Sequence, residues 1–594
     1  MRHYQAPQRD TLFVMKELLG FEQHYQTLGF DEASPDMVQA IFAESAKFAE
    51  NVLLPIDANG DAGCQFDEGV VTTPAGFKEA YQQYVESGWP GMTHELEFGG
   101  QGLPYSLAGM VSEWNSSANH AWAMYPGLTQ GCIETIREYA PETLKNNYLP
   151  KLVEGTWTGT MCLTEPHCGS DLGMLKTKAE PNDDGSYRLN GTKIFISAGE
   201  HDLSDNIVHI VIARLPDAPA GTKGISLFVV PKFNVDEEGE LAGRNGVHCG
   251  SIEHKMGING SATCVINFDD AKGYLIGEPN RGLNAMFTFM NVARIGVGVE
   301  GLSACEAAYQ GALSYAKERT QFRAMDGVKN PNAAADTIIH HPDVRRMLLT
   351  QKAFAEGGRA LVLHCMQLAD LTLYGQGEAK QVADAKLALL TPILKAFMTE
   401  VAQEATSYGI QVYGGHGFIK EWGMEQLARD TRICTLYEGT TGIQALDLLG
   451  RKVLGSQGKL LEAVGQDLQQ ILAEAGRVPS LAAYAQSLGG HLQELQTITK
   501  TVAAKAAANP LEVGAASVDY LMYCGYVVMG HMWLKMAIVA QQQLDAGTDE
   551  ADFYLAKLHT AAFYFARLLP RAQTHKAAAL AGMDSLMAMP ESQF

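Results

Sequence analysis

Tyr437-Glu438-Gly439-Thr440 sets a single carboxylate between an aromatic ring and a glycine, within a segment (Ile433 to Ile443) that is otherwise apolar or small. Shielding from water raises the proton affinity of such a carboxylate, so it can act as a base near neutral pH. Upstream, Gln411-Val412-Tyr413-Gly414-Gly415-His416-Gly417-Phe418 carries glycines that let backbone approach a ligand closely. Earlier still, Met161-Cys162-Leu163-Thr164-Glu165-Pro166 precedes Gly169-Ser170-Asp171. Taken alone, Thr164 and Ser170 read as loop hydroxyls that satisfy nearby backbone. The chemistry on offer is proton abstraction by Glu438 beside a ligand.

The elements that must position these residues follow from periodicity. Ser34-Pro35 reads as an N-cap with proline at the first helical position. Val38, Ile41, Phe42, Ala49, Val52 and Leu53 then recur at helical spacing, with the small Ser45 on the same face. From about 159 to 280 the period shortens. Asn190-Gly191 reads as a hairpin turn between Tyr187-Arg188-Leu189 and Lys193 to Ser197, and Ile207–Ala213, Gly224–Val230 and Cys264–Phe268 read as strands. Helical pattern returns from Gly282 to about Phe322 and continues through 343–374, 379–408 and 423–429, which predicts an antiparallel bundle. Gly455-Ser456-Gln457-Gly458 reads as a linker into a further helical region. The expected organisation is an N-terminal extension (1–34), a helical domain (35–158), a middle β domain (159–280), a helical bundle carrying the base (281–454) and an additional helical domain (455–594).

Composition narrows the classes. The 594 residues are 46% hydrophobic and 19% charged, ordinary for a globular chain. A formal net charge of -22 argues against nucleic acid, whose phosphates it would repel. The ten cysteines form no CxxC pair, so zinc and dithiol redox readings lack their spacing, and no metal site is expected. Met1 to Gly20 has no uninterrupted apolar run, so no secretory signal is read and cytoplasm is the default. Leu521 to Ala540 has the length of a membrane span, but His531 and Lys535 interrupt it on one face, which favours a buried helix over membrane insertion. Gly296-Val297-Gly298-Val299-Glu300-Gly301 matches the dinucleotide fingerprint by letter only. It continues a helical pattern, so its glycines serve close helix packing.

In order and spacing, the three opening blocks resemble the acyl-CoA dehydrogenase family of flavoproteins. The resemblance implies a helical N-domain, a β-barrel-like middle domain and a four-helix-bundle C-domain, mainly α overall, with FAD as cofactor. It makes Glu438 the catalytic base. It puts Leu163 and Thr164 at the flavin ring and Ser170 near the pyrophosphate and substrate; His167-Cys168 departs from the usual Gly-Ala. Phe195-Ile196-Ser197 matches a Trp-Ile-Thr/Ser segment that packs on and bonds the flavin, and would otherwise read as core strand. Arg319 and Phe322 match residues that reach a neighbouring subunit's FAD, where the plain reading is a solvated helix end; the stretch Ala324 to Ile339 is longer than the family pattern and carries no assigned role. Gln411, Gly414 and Gly415 match a second cofactor element, and Thr440 a flavin contact, while Gly442 replaces a more usual polar residue. Asn291 and Arg294 match positions near CoA, the alternative for Arg294 being a bundle-surface salt bridge. Tyr437 and Gly439 flank the base at the substrate.

The implied reaction takes an acyl-CoA to a trans-2-enoyl-CoA, the α-proton going to Glu438 and the β-hydride to flavin N5, with electrons passed to electron-transfer flavoprotein. The shared cofactor site implies a homodimer or tetramer. Tyr4-x-Ala6-Pro7-x-x-Asp10 and the extra C-terminal domain are similar to a bacterial subgroup that includes 3-methylthiopropanoyl-CoA dehydrogenases alongside general fatty acyl-CoA dehydrogenases. An acyl-CoA oxidase with the same base, and a non-catalytic scaffold, are the competing readings.

Overall fold

β-Branched and aromatic residues crowd the middle of the chain, and there the computed structural model, which describes residues 3–594, forms its main sheet. The chain divides into two compact units, Ile41–Gly296 and Met1–Ala40 with Val297–Phe594.

In the first unit, seven strands make the sheet: β1 (Trp157–Cys162), β2 (Lys178–Pro181), β3 (Tyr187–Ser197), β4 (Asn206–Ala213), β5 (Ser226–Pro231), β6 (Val247–Ile252) and β7 (Thr263–Ile276). They run in the order β1-β4-β5-β7-β3-β2, with β6 also paired to β7. β1 lies parallel to β4, and the other pairs are antiparallel. The long β7 joins two halves, pairing with β3 and β6 over its first part and with β5 at Tyr274–Ile276. β4 and β5 are buried along their whole length. Helix α1 (His120–Tyr139) packs on β1 so tightly that a Cβ on Gly159 would stand 2.3 Å from Cys132 Cβ.

The hairpin expected at Asn190-Gly191 does not form. Both residues lie inside the continuous strand β3. Asn190 instead exchanges hydrogen bonds with Asp270, donating through Nδ2 at 2.9 Å and accepting from the Asp270 N–H at 3.0 Å. Gly191 is needed for another reason: any Cβ there would lie 2.4 Å from Thr177 Oγ1.

The second unit is helical. α2 (Gly282–Glu318) enters it at Val297, followed by α3 (Pro342–Tyr374), α4 (Gly377–Tyr413), α5 (Met424–Thr431) and α6 (Thr441–Leu446). Gly298 and Gly301 do serve close packing: a Cβ on Gly298 would meet Leu394 at 2.6 Å, and one on Gly301 the Met398 backbone at 2.8 Å. Beyond the turn at 455–458 come α7 (Lys459–Ala475), α8 (Ala482–Ala508), α9 (Leu511–Asp545) and α10 (Ala551–Phe563). α9 is the apolar stretch noted in the sequence. It is buried against the bundle, with Gly525 against Phe397 and Trp533 Nε1 donating to the Ala353 carbonyl at 3.1 Å. Burial drives the His531 imidazole far below its usual pKa, so it sits in the core uncharged. Among the described residues no helix is long and apolar enough to cross a membrane, and all ten cysteines are free thiols.

The N-terminal segment is part of this core. Phe13 and Val14 are fully buried, and Tyr4 nearly so. Asp10 bonds both Arg359 of α3 and Lys557 of α10. Arg359 also bonds Glu306 at 2.7 Å, Lys557 bonds Glu356 at 2.8 Å, and Glu356 bonds Lys352. Three cations thus meet three carboxylates with little water, a network that is costly to break from one side. Burial pushes the Asp10 carboxyl up, but Lys557 and Arg359 outweigh it and hold it at about 2. Asp10→Asn is expected to cost about 3 kcal/mol, read as a lowered thermal unfolding midpoint. The stability from a depressed carboxylate is complete above its usual pKa of 3.8 and is lost as pH falls toward about 2. The deficit of the variant should therefore be the same at pH 7 and pH 5 and should shrink below about pH 4.

Candidate active site

Glu438 follows the short helical turn Arg432–Thr435 and precedes α6, which Thr440 caps by accepting the Ile443 N–H at 3.3 Å. It is half-buried. Its backbone is left-handed, with φ +54°. A non-glycine residue resists that conformation by roughly 1–2 kcal/mol, so the surroundings must impose it. They do. Gln444, fully buried, donates from Nε2 to the Glu438 carbonyl at 2.9 Å. Lys395 of α4, also fully buried, donates to the Gly439 carbonyl at 2.7 Å. Gly439 has φ +91° and leaves no room for a side chain, since its Cβ would stand 2.7 Å from Gln444 Nε2. Tyr437 hydrogen-bonds through its hydroxyl to Glu300 of α2. Burial, Cys434 and Glu300 together push the Tyr437 phenol far above its usual pKa, so it remains a donor. Thr441 donates to Glu400 at 2.5 Å.

The other candidates of this unit lie in two neighbouring loops. Arg319 and Phe322 are exposed, Phe322 at 82% and with φ +55°. The stretch after them, which the sequence left without a role, is an ordered loop folded around Asp336. That carboxylate accepts the N–H groups of Ala324, Lys329 and Asn330 at 2.9–3.0 Å. These backbone donors hold the Asp336 carboxyl down at about 2. Gln411, Gly414 and Gly415 are exposed at the end of α4, and nothing lies within 4 Å of a Cβ built on either glycine. Beneath them Tyr413 stacks on Tyr315 at 4.2 Å, and the Tyr315 hydroxyl meets His416 Nδ1 at 2.9 Å.

In the first unit, Leu163 and Thr164 are half-buried just past β1, Ser170 is exposed, and Ser197 is half-buried at the end of β3. Phe195 is 59% exposed on a left-handed backbone, φ +59°. An exposed aromatic held in a strained conformation is a usual mark of a ligand-facing position. The loop is set from below by Glu165 and Lys193, 3% and 0% exposed. Lys193 Nζ bonds Glu165 Oε1 at 2.9 Å and the Leu163 carbonyl at 3.0 Å. Glu165 also accepts the backbone N–H groups of Lys176 and Thr177 and the Thr177 hydroxyl. Burial raises the Glu165 carboxyl, but Lys193 and these donors bring it to about 2. Glu165, His167 and Cys168 are close enough to share an ion, yet an ammonium already holds the carboxylate and would repel a cation. Asn291 is exposed and Arg294 buried, one turn apart on α2.

The 950 Å³ cleft of this unit lies elsewhere, lined by Glu200, Lys232, Arg244, His248 and Cys249, and holds none of the candidate residues. Lys232 and Arg244 both turn to Glu200. Five residues that shape the candidate site were not singled out in the sequence: Lys193, Glu300, Lys395, Glu400 and Gln444. Each is a polar side chain in a mainly apolar run, a signal that marks burial without naming the partner.

Residues 36–156, 160–271 and 280–454 match the N-terminal, middle and C-terminal domains of acyl-CoA dehydrogenase, and residues 460–590 match the acetyl-CoA dehydrogenase C-terminal-like domain. The chain is 42% identical to a 3-methylmercaptopropionyl-CoA dehydrogenase of Ruegeria pomeroyi, over 95% of this chain and 96% of that one. It is 35% identical to the broad-specificity linear acyl-CoA dehydrogenase FadE5 of Mycobacterium tuberculosis, over 96% of each. A crystal structure of an acyl-CoA dehydrogenase complexed with FAD from Bacillus anthracis shares the fold, with a TM-score of 0.73 at 24% identity, covering 92% of this chain and 89% of that one. Matched in order along four consecutive domains and related to dehydrogenases over nearly its whole length, the chain belongs to the acyl-CoA dehydrogenase family.

Proposed function

We propose that the protein oxidises an acyl-CoA to the trans-2-enoyl-CoA with FAD as cofactor, and that 3-methylthiopropanoyl-CoA is its preferred substrate. The observation that carries the reading is Glu438, a half-buried carboxylate held on a strained backbone by two buried donors. The preference for the thioether substrate rests on the Ruegeria pomeroyi relative, which is more similar than the linear acyl-CoA dehydrogenase from Mycobacterium tuberculosis.

The residues present fit FAD. Phe195 and Phe322 offer exposed flat rings, Arg319 an exposed guanidinium for a pyrophosphate, and Gly414 and Gly415 open backbone. Leu163 and Thr164, together with Ser170, Ser197, Gln411 and Thr440, complete the proposed set. The chemistry FAD supplies is acceptance of the β-hydrogen with its electron pair. Glu438 takes the α-proton onto a carboxylate oxygen, and its backbone N–H stabilises the charge that gathers on the thioester carbonyl. Arg294 and Asn291 hold the CoA portion, Ser170, Tyr437 and Gly439 bound the acyl portion, and the five-part organisation from 1–34 to 455–594 frames them. Electrons leave to an electron-transfer flavoprotein, the working form is a dimer or tetramer, and the reaction serves acyl-chain β-oxidation in the cytoplasm.

The deciding experiment is anaerobic mixing with an acyl-CoA panel from butanoyl to palmitoyl plus 3-methylthiopropanoyl, followed by flavin absorbance. Fastest bleaching by 3-methylthiopropanoyl-CoA is expected; bleaching by a straight-chain member alone would remove the substrate assignment, and none by any member the activity. Glu438→Gln should keep its FAD but bleach about 10²–10⁴-fold more slowly. Lys193→Met leaves the buried Glu165 without its cation and releases the Leu163 carbonyl. It should purify with less than about half the FAD of the parent, read from the ratio of flavin to protein absorbance.

A further inference from the structure

An ammonium stripped of water costs several kcal/mol unless it is paired or well bonded. Lys395, fully buried in mid-helix, directs its ammonium to the Gly439 backbone carbonyl of the Glu438 loop. Gly439, whose carbonyl it holds, immediately follows the base. One carbonyl earlier, on the base residue itself, Gln444 holds the Glu438 carbonyl at 2.9 Å. Successive carbonyls are therefore pinned by two buried donors from different helices, directly after the φ of +54° at Glu438 that an L-residue avoids.

The same ammonium acts on the rest of the loop. Burial and Glu300 push the Cys434 thiol far up, and Lys395 opposes them. Lys395 thus lies within electrostatic reach of the group that Glu300, Cys434 and Tyr437 form on the approach to the base. A carbonyl that accepts from an ammonium is held more stiffly than one that accepts from a neutral donor, because charge-assisted bonds are roughly twice as strong.

We propose that Lys395 is a positioning residue for the reaction: its ammonium, through the Gly439 carbonyl, holds Glu438 in the left-handed conformation from which the carboxylate reaches the α-proton. This rests on the reading of Glu438 as the base. Lys395 touches neither substrate nor cofactor in this role, so its loss changes the proton-transfer step and leaves ligand binding in place.

The test uses the full-length, FAD-loaded protein and its best acyl-CoA from the panel, unlabelled and α-deuterated. Lys395→Met is expected to lower the limiting rate of flavin bleaching about 100-fold, the scale of a 1 Å misplacement. The dissociation constant for acyl-CoA and the flavin content should stay near those of the parent, and the α-deuterium isotope effect should rise. A role in folding alone would lower flavin content and thermal stability without raising the isotope effect. Lys395→Gln, an uncharged and shorter donor, is expected to bleach about tenfold more slowly. It decides the matter if the Met variant does not fold. A limiting rate and isotope effect equal to the parent's in the folded variant overturn the proposal. Glu438→Gln, run alongside, separates the two failures. If it bleaches normally the base assignment falls, whereas if it is inert and the Lys395 variants are normal, only the role of Lys395 falls.

Discussion

The left-handed backbone at Glu438 is the constraint on which the candidate site of the second unit depends. Glu438 would relax toward ordinary backbone if nothing opposed it, and its carboxylate would turn with it. The opposition comes from α4. Lys395, Glu400 and Gln403 reach Gly439, Thr441 and Thr431, so one helix grips the chain before and after the base. Glu300 of α2 adds the hold on Tyr437. Gly298 and Gly301 are part of the same arrangement, since larger residues would push α2 off Leu394 and Met398 and carry Glu300 away from the loop.

The first unit solves its positioning problem with the same means and a different balance. Its buried lysine, Lys193, is neutralised by Glu165 and spends one further bond on the Leu163 carbonyl. Glu165 in turn organises the backbone at Lys176 and Thr177. In both units the residues that face outward, Phe195, Phe322, Arg319 and the glycines, are exposed. Beneath the loops lie buried polar side chains, Lys193 and Glu165 in one unit and Lys395 and Gln444 in the other.

What was legible in the sequence was local. Short blocks such as Tyr437 to Thr440 carry a residue and its neighbours together, and periodicity alone distinguished α2, α3 and α4 from the β4 and β5 strands. The contacts that hold the loops were not legible, because Lys395 and Gly439, or Lys193 and Glu165, are far apart in the chain and meet only through the fold. Asn190-Gly191 misled for a related reason. The dipeptide has strong local preference for a turn, but Asp270 offered Asn190 two hydrogen bonds from the adjacent strand, and tertiary pairing outweighed the local signal. At the N-terminus, Tyr4, Ala6, Pro7 and Asp10 looked like a signature of kinship, and the burial of Asp10 among Arg359 and Lys557 gives that pattern a structural cause.

That knot of charge also sets a schedule for biosynthesis. Unit Ile41–Gly296 is contiguous and can close as soon as it leaves the ribosome. Asp10 is made before all of it, yet its partner Lys557 follows 547 residues later in the chain. At roughly 5–20 residues per second the interval is on the order of half a minute to two minutes. Through that time Phe13 and Val14, destined for the core, have no finished unit to enter. The nascent segment around Asp10 is therefore a stretch that a holding chaperone would have reason to cover, and a ribosome stalled short of α10 would leave it without its partners.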